Sequence, residues 1–382
     1  MDLMKMLFWG SLLMLGYVYV GYPILAFLLS ILRNKKIRKQ TSQPSVTILI
    51  AAYNEGENIE ETIKNKLYLD YPREKKEIII ISDGSTDKTE DIVRKYDSEE
   101  VKLIRQNIRS GKTAALNKAV PQAAGDILVF SDANSIYEKS ALQQLVHNFN
   151  DPTVGYVTGK MIYTNPDGTA FGDGCTAYMK YENLLRKFET KIGSVVGVDG
   201  GIDAVRKSLY QPMNPDQLPD FVLPLKVVQQ GYRVVYEPEA ILREASLKDS
   251  KDEYRMRVRV SLRALWALWD MRDLLSIGKF RVFAWQLWSH KVLRYHCFIF
   301  LTCAYLLNLA LWPAGSAYRV LFAVQSFAYL FAALHPVLQR LWDKFSGLYF
   351  LNYFLLLNLA AGHAFVKFLM GQKQVIWAPR KG

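Results

Sequence analysis

Between residues 45 and 135 the chain alternates four nearly unbroken apolar runs with three amphipathic ones. This pattern restricts the fold more than any other feature. The apolar runs are "SVTILIAAYN" (45–54), "EIIIISDGS" (77–85), "VKLIRQ" (101–106) and "DILVFSDAN" (126–134). The segments between them, "EGENIEETIKNKL", "TDKTEDIVRKY" and "KTAALNKAV", read as helices, the first with acids in its opening turn. A strand apolar at every position must be covered on both faces. Strand–helix alternation of this kind therefore predicts a mostly parallel sheet wrapped by helices.

In such sheets ligands bind beyond the carboxyl ends of the strands. Those ends carry Asn54 and Glu55, then Asp83, then Arg109 and Lys112, then Asp132 and Asn134. Each alone reads equally well as a turn or helix-cap residue. Four in succession at one edge predict a binding crevice. Two nucleotide motifs fail there. "GKT" (111–113) lacks the glycine that a P-loop needs five positions before Gly111, where Gln106 stands, and no strand is followed by G-x-G-x-x-G. What remains is an acidic site with D-x-N at its centre. Its oxygen donors suit Mg²⁺ or Mn²⁺, ions that commonly bridge to substrate phosphates.

The ends of the chain are a different material. Half of the 382 residues are hydrophobic, and the formal charge is +12. Met6 to Leu32 carries no charge, long enough for the roughly 20 residues that cross a bilayer, and "RNKKIRK" (33–39) follows at once. The length of this run and the basic flank predict an uncleaved anchor with residue 40 onward in the cytoplasm. Three further uncharged runs, Tyr295–Tyr318, Val320–Gln339 and Phe345–Val366, predict three more spans. Asn352, Asn358 and His363 in the last of them point to other helices or a wet cavity rather than lipid. Three crossings would leave the tail "GQKQVIWAPRKG" outside, whereas its three basic residues argue for inside. The three cysteines, Cys175, Cys297 and Cys303, make no disulfide framework. The charge excess lies largely beside apolar spans, with no zinc or helix-turn-helix pattern, so membrane adjacency explains it better than nucleic acid.

Taken together, "AAYNEGENI", "SDGSTD", "GKTAALN" and "FSDAN", in this order and spacing, resemble the donor half of inverting family-2 glycosyltransferases, a group that includes membrane synthases of cellulose, chitin, hyaluronan and poly-N-acetylglucosamine. The likeness continues through "VTGK" (157–160), "GVDGGIDAVRKS" (197–208) and "LPDFVLPLKVVQQGYRVVYEPEA" (218–240). It implies a GT-A-like α/β domain in which Ala52, Tyr53 and Glu55 frame the nucleoside pocket and Asp83 meets a uracil-type base. Lys112 would lie near the donor, and Asp132 would bind ribose or metal. Asn134 departs from the family's D-x-D, since an amide oxygen can coordinate a hard cation but adds no charge. Metal dependence with weaker binding is the expectation.

Sugar transfer from a nucleoside diphosphate needs positive charge at the departing diphosphate and a carboxylate to take the proton of the incoming hydroxyl. Asp220 is the candidate base, standing where the family shows T-E-D and this chain has Leu218-Pro219-Asp220. It could instead be a helix N-cap. Asp199 and Asp203, flanking the diglycine that begins at Gly200, are rivals that look more like acceptor-pocket residues. In "KDEYRMRVRVSLRALWALWDMRDLL" (251–275), Arg255, Arg259, Arg263 and Trp266 share one helix face. That face suits a membrane surface, with Trp269, Trp285 and Trp288 at the interface. It also resembles the family's Q-x-x-R-W element with R-x-x-W in place of R-W, which would put Arg263 on the diphosphate and Trp266 on the acceptor.

The resulting expectation divides the chain into an anchor with its basic flank (1–40), a cytoplasmic catalytic domain (41–245), amphipathic interface helices (246–293), transmembrane helices (294–370) and a basic tail (371–382). It describes a multi-pass enzyme of the cell membrane that takes a UDP-sugar and extends a β-linked glycan, coupled to secretion if the last helices form a channel. Two alternatives stand beside it. One is addition of a single sugar to a lipid-linked acceptor during exopolysaccharide assembly. The other is a non-catalytic membrane scaffold on a decayed transferase fold.

Overall fold

The computed structural model describes residues 1–98, 100–164, 170–245, 250–334 and 346–376. Eight strands form one sheet: β1 Val46–Ala52, β2 Lys76–Asp83, β3 Val101–Gln106, β4 Ile127–Asp132, β5 Ile136–Tyr137, β6 Val154–Thr164, β7 Ile202–Arg206 and β8 Arg233–Ala245. Their order is β3-β2-β1-β4-β7-β6-β8-β5. The four strands of the alternating region are parallel neighbours, with Ala51 beside Asp132 and Asp83 beside Gln106 in register. Their carboxyl ends thus fall in one row. β7 enters antiparallel to both β4 and β6, β6 and β8 are parallel, and β5 closes the far edge antiparallel to β8. The sheet is therefore parallel where the apolar runs are continuous and mixed beyond β4.

Every residue of β1 and β2 is buried. Side chains alternate between the two faces of a strand, so this burial requires two cores. On one face Leu49, Ile79, Leu128 and Phe130 pack with Leu116, Leu223 and Leu268. On the other, Ile48, Ile50, Ile80 and Val129 pack with Ile63, Val93 and Leu142. The helices supplying these contacts are Lys112–Ala119, Pro219–Gln229 and Ser250–Asp270 on the first side. On the second they are Ile59–Leu67, Thr89–Arg94 and Ala141–His147.

Helix Ile59–Leu67 also fixes the loop after β4. Thr62 Oγ1 donates to Ala133 O at 2.6 Å, and Lys66 Nζ donates to Ser135 O at 2.6 Å while lying 3.6 Å from the centre of the Tyr137 ring. Lys66 is fully buried, and burial holds its ammonium well below the usual lysine range. Two buried donors thus clamp the turn that presents Asp132 and Asn134.

Among the described residues one helix is long and apolar enough to cross a membrane by itself, Asp2–Arg33. A π-helical turn at Tyr17–Gly21 interrupts its α-helical winding. A second candidate is the pair Val282–Tyr295 and Cys297–Ala310, bent by 55°, which has the geometry of a broken span or a re-entrant loop. The first of the three runs expected to span after residue 294 is therefore not one continuous helix. The first apolar run stops as a helix at Ala310, before the Trp312–Ala314 turn and Gly315 at φ 146°. Its 14 residues extend about 21 Å at 1.5 Å per residue, against about 30 Å of hydrocarbon. Helices Ser316–Ala333 and Ser346–Leu369 follow, while the "QRLWDK" connection lies outside the described residues. Asn358 is buried, as its polarity implied, whereas His363 is exposed, with Nδ1 3.1 Å from the Tyr254 hydroxyl.

Residues 372–375 return to the catalytic part. Trp266 Nε1 donates to Gln372 O at 2.8 Å, and Lys373 pairs with Asp216 at 2.5 Å. The tail, as far as it is described, lies against the sheet's carboxyl edge, where Val375 O approaches Gly111.

One substitution tests the close approach of β1 to the chain entering β4. A Cβ on Gly125 would lie 2.4 Å from Thr47 N and 2.5 Å from Val46 C, so backbone would have to yield. Gly125→Ala should destabilise the domain by about 2–3 kcal/mol, read as a lower midpoint in thermal unfolding.

Candidate active site

The strand ends open on a crevice of about 300 Å³ whose lining includes Glu55, Lys112, Asp132, Asn134, Asp199, Asp220, Arg259 and Arg263. At its centre Lys112 Nζ donates to Asp132 Oδ1 at 2.5 Å. Burial opposes the charge on Lys112, but Asp132 and Asp220 outweigh it and hold the ammonium above its usual range. Lys112 begins its helix directly after Gly111, whose φ of 93° is one that glycine adopts readily.

Asp83 sets the approach of that helix. Its Oδ1 accepts the N–H of Ser110 at 2.7 Å and its Oδ2 the N–H of Gly111 at 2.9 Å. Burial raises its pKa even though both hydrogen bonds favour the carboxylate. Here Asp83 holds the loop before Lys112 and does not line the 300 Å³ crevice. Ala52 and Tyr53 are not among its lining residues either. Tyr53 carries the Arg109 guanidinium over its ring, 3.5 Å from the centre. Asn54, at φ 52°, accepts Thr86 N–H at 2.8 Å, and Glu55 N–H donates to Thr89 Oγ1 at 2.9 Å. The loops after β1 and β2 are thereby tied to each other.

Asp220 is the second residue of helix Pro219–Gln229, which opens with proline, a residue suited to the first helical turn. Gly200 lies against it: at φ 83°, a Cβ there would fall 2.4 Å from Asp220 Oδ2. Asp199 turns the other way, into a buried ion pair with Arg186 at 2.6 Å, and also accepts Met161 N–H at 3.1 Å. Its burial still raises the carboxyl's pKa. Arg263 is 7% exposed and donates through Nη2 to Gln217 O at 2.5 Å. Of the arginine face, Arg255 is exposed, whereas Arg259 and Arg263 turn into the crevice, where burial depresses both. Trp266 packs on Phe368 with ring centres 4.6 Å apart and meets the tail rather than the crevice.

Sequence reasoning missed the wall formed by Tyr178, Glu182, Arg186, Lys291 and Tyr295. Glu182, Arg186 and Glu189 recur every three or four residues on helix Ala170–Ile192, a spacing that could have marked a charged face directed inward. Glu182 pairs with Arg294, and His290 Nδ1 lies 2.7 Å from Glu189 Oε1. Behind this wall is a second cavity of about 550 Å³, more apolar, reaching Tyr19, Phe354, Leu357 and Asn358. Tyr178, Arg257, Lys291 and Tyr295 line both cavities.

The Arg186–Asp199 pair can be tested as a unit, since both members are buried. Arg186→Ala leaves an uncompensated carboxylate and should cost about 3–5 kcal/mol. Adding Asp199→Asn should restore part of that loss, measured by chemical denaturation in a double-mutant cycle.

Residues 47–210 match the family model described as glycosyl transferase family 2. The chain is 33% identical over 202 residues to a poly-beta-1,6-N-acetyl-D-glucosamine synthase of Staphylococcus aureus (strain COL), covering 51% of this chain and 48% of that protein. It is 26% identical over 271 residues to the Staphylococcus epidermidis protein of the same name, covering 67% and 65%. The chain thus spans about half the length of the first of these curated relatives. A solved mannosyltransferase, PcManGT from Pyrobaculum calidifontis in complex with GDP-Man and Mn²⁺, superposes with a TM-score of 0.72 at 23% identity, over 96% of this chain and 99% of that one. This likeness establishes a GT-A-like fold. Residues 47–210 are thus similar to glycosyl transferase family 2.

Proposed function

We propose that this chain is a membrane-bound inverting glycosyltransferase that moves a sugar from a UDP-sugar to a growing β-linked polysaccharide. One observation carries the reading. Lys112, Asp132, Asn134, Asp220 and Arg263 line one crevice at the carboxyl edge of the sheet. The names of the curated relatives make UDP-N-acetylglucosamine the first donor to test.

Lys112, Arg259 and Arg263 would neutralise the diphosphate as it departs, in a site where part of their water is already excluded. Asp220 would accept the proton of the incoming hydroxyl, and inversion by direct displacement requires no second carboxylate. Gly200, with no side chain, leaves the space that the Asp220 carboxylate occupies. Asp83 would act through the Ser110–Gly111 loop it holds, as well as on the base of the nucleotide.

The donor atoms fit a divalent cation of the Mg²⁺ or Mn²⁺ type. Asp132 and Asn134 offer one carboxylate and one amide oxygen, and among the described residues no group of three or more His, Cys, Asp or Glu gathers to hold a metal. A hard cation held by so few protein oxygens keeps waters and takes substrate phosphate oxygens. When bound, such an ion stabilises the charge of the leaving diphosphate. Lys112, ion-paired to Asp132, would supply positive charge to the same group.

The apolar helices and the outward-facing Leu13, Leu32, Val324 and Phe327 support a membrane setting, with the catalytic domain on the cytoplasmic side. The second reading, one sugar added to a lipid-linked acceptor, is favoured by the 550 Å³ cavity. It joins tyrosines and arginines to the apolar side chains of Leu351, Phe354 and Leu357.

Membranes containing the full chain should transfer radiolabelled sugar from UDP-N-acetylglucosamine. Asp220→Asn should lower that transfer at least a hundredfold while UDP still binds. A ladder of products on an acceptor series supports polymerisation, whereas a single added sugar supports the second reading. Removing divalent cations with a chelator should abolish transfer, and Mn²⁺ should restore it. Undiminished transfer after chelation would contradict the metal assignment.

A further inference from the structure

Next to the proposed base lies a second carboxyl that the reaction, as described, leaves without a task. Asp203 sits in the middle of β7, opposite Phe130 and Thr158 in register, and is 1% exposed. Its Oδ2 accepts the N–H of Gly200 at 2.9 Å, while Oδ1 is buried and, although the Thr158 and Tyr156 hydroxyls lie near the carboxyl, has no hydrogen bond of good geometry. A buried carboxyl oxygen left this way loses its hydration with no return, so a missing hydrogen-bonding partner is the simplest reading.

The space for that partner exists. A small cavity of about 10 Å³ is lined by Asp203, Asp220, Gly200, Lys112, Tyr156 and Phe130. That is close to the least volume that holds one water, and a buried water needs two to four polar partners. Asp203, Asp220 and the Lys112 ammonium provide them. The backbone of Gly200 stands between the two carboxyls, donating to one and lying against the other.

Burial and the neighbouring carboxylates favour a proton on Asp203. Tyr156 and Thr158 face it from β6, Tyr137 from β5 and Asp199 from the preceding loop, while Asp220 and Lys112 face it from two helices. Burial is the main cause that pushes its pKa up to about 7, with Asp199 and Asp220 adding to the rise and the two hydroxyls of Thr158 and Tyr156 opposing it. Below that pH the carboxyl is neutral and can donate. Above it, two carboxylates would share one small space.

We infer that Asp203 is a positioning residue for Asp220: protonated, it donates through one water in the small cavity and holds the Asp220 carboxylate toward the acceptor hydroxyl. The inference rests on the reading of Asp220 as base. Asp203 does not touch substrate, and no proton leaves through it.

The test is the pH profile of kcat, at saturating UDP-sugar and acceptor, for the full-length enzyme in membranes. Wild-type kcat should fall as pH rises through about 7. Asp203→Asn keeps a neutral donor at every pH, so it should retain at least a third of kcat and lose that fall. Asp203→Ala should lose tenfold or more in kcat with the donor KM unchanged. An Asp203→Asn profile identical to wild type, or an Asp203→Ala variant with wild-type kcat, overturns the inference. Calorimetric UDP binding reports whether each variant is folded, and if Asp203→Ala binds none, Asp203→Asn alone decides. Asp220→Asn is run alongside. Transfer that survives it sinks the base assignment, whereas transfer lost in it together with an unaltered Asp203→Asn profile sinks only the positioning role.

Discussion

The ion pair between Lys112 and Asp132 is the contact around which the site is arranged. Two charges held at 2.5 Å in a partly buried crevice attract more strongly than in water, yet each has given up hydration to be there. The surroundings fix both members. Asp132 ends a strand whose following turn is clamped by Thr62 and Lys66, and Lys112 starts a helix whose approach is set by the two backbone hydrogen bonds to Asp83. The pair is consequently a preorganised patch of both signs. In the proposed reaction Lys112 would pair with the phosphate oxygens and Asp132 would hold the divalent ion, which would supply positive charge to the leaving diphosphate.

The membrane-type helices are not an appendage to this arrangement. Tyr22 of the first helix donates to Glu189 Oε1 at 2.5 Å, the atom that His290 approaches from the far end of the chain. Glu182, on the same helix as Glu189, pairs with Arg294 and lines the crevice. Arg186, one turn along, holds Asp199, whose neighbour Gly200 lies on Asp220. A run of buried charged groups therefore leads from the apolar first helix to Asp199, whose neighbour Gly200 lies on the proposed base. The 550 Å³ cavity follows the same route on its apolar side.

Much of this was legible in the sequence because it rests on local pattern. Strands β1 to β4 and the polar residues at their ends follow from apolar runs and their terminators, and Asp132, Asn134 and Lys112 meet in space because a parallel sheet puts carboxyl ends on one edge, where helix Pro219–Gln229 adds Asp220. What the sequence concealed depends on long-range partners. Nothing near Asp83 says that its carboxylate holds the Ser110–Gly111 loop, because those N–H groups come from another strand connection. Trp266 shares a helix face with Arg263, yet a tail more than a hundred residues away covers it. The three spans expected after residue 294 looked continuous to hydropathy, but Pro313 and Gly315 lie where the first run stops being a helix. Arg186 and Glu182 were hidden by an ordinary helix spacing whose inward face only the packing reveals.

A structure of the full chain with UDP and Mn²⁺ bound tests the central claim most directly. The account predicts the diphosphate and ion between Lys112 and Asp132, with that ion pair opened and Asn134 turned toward the cation. Nucleotide bound instead at the opposite end of the sheet, in the groove lined by Ser45, Lys76, Glu77 and Gly125, would contradict it.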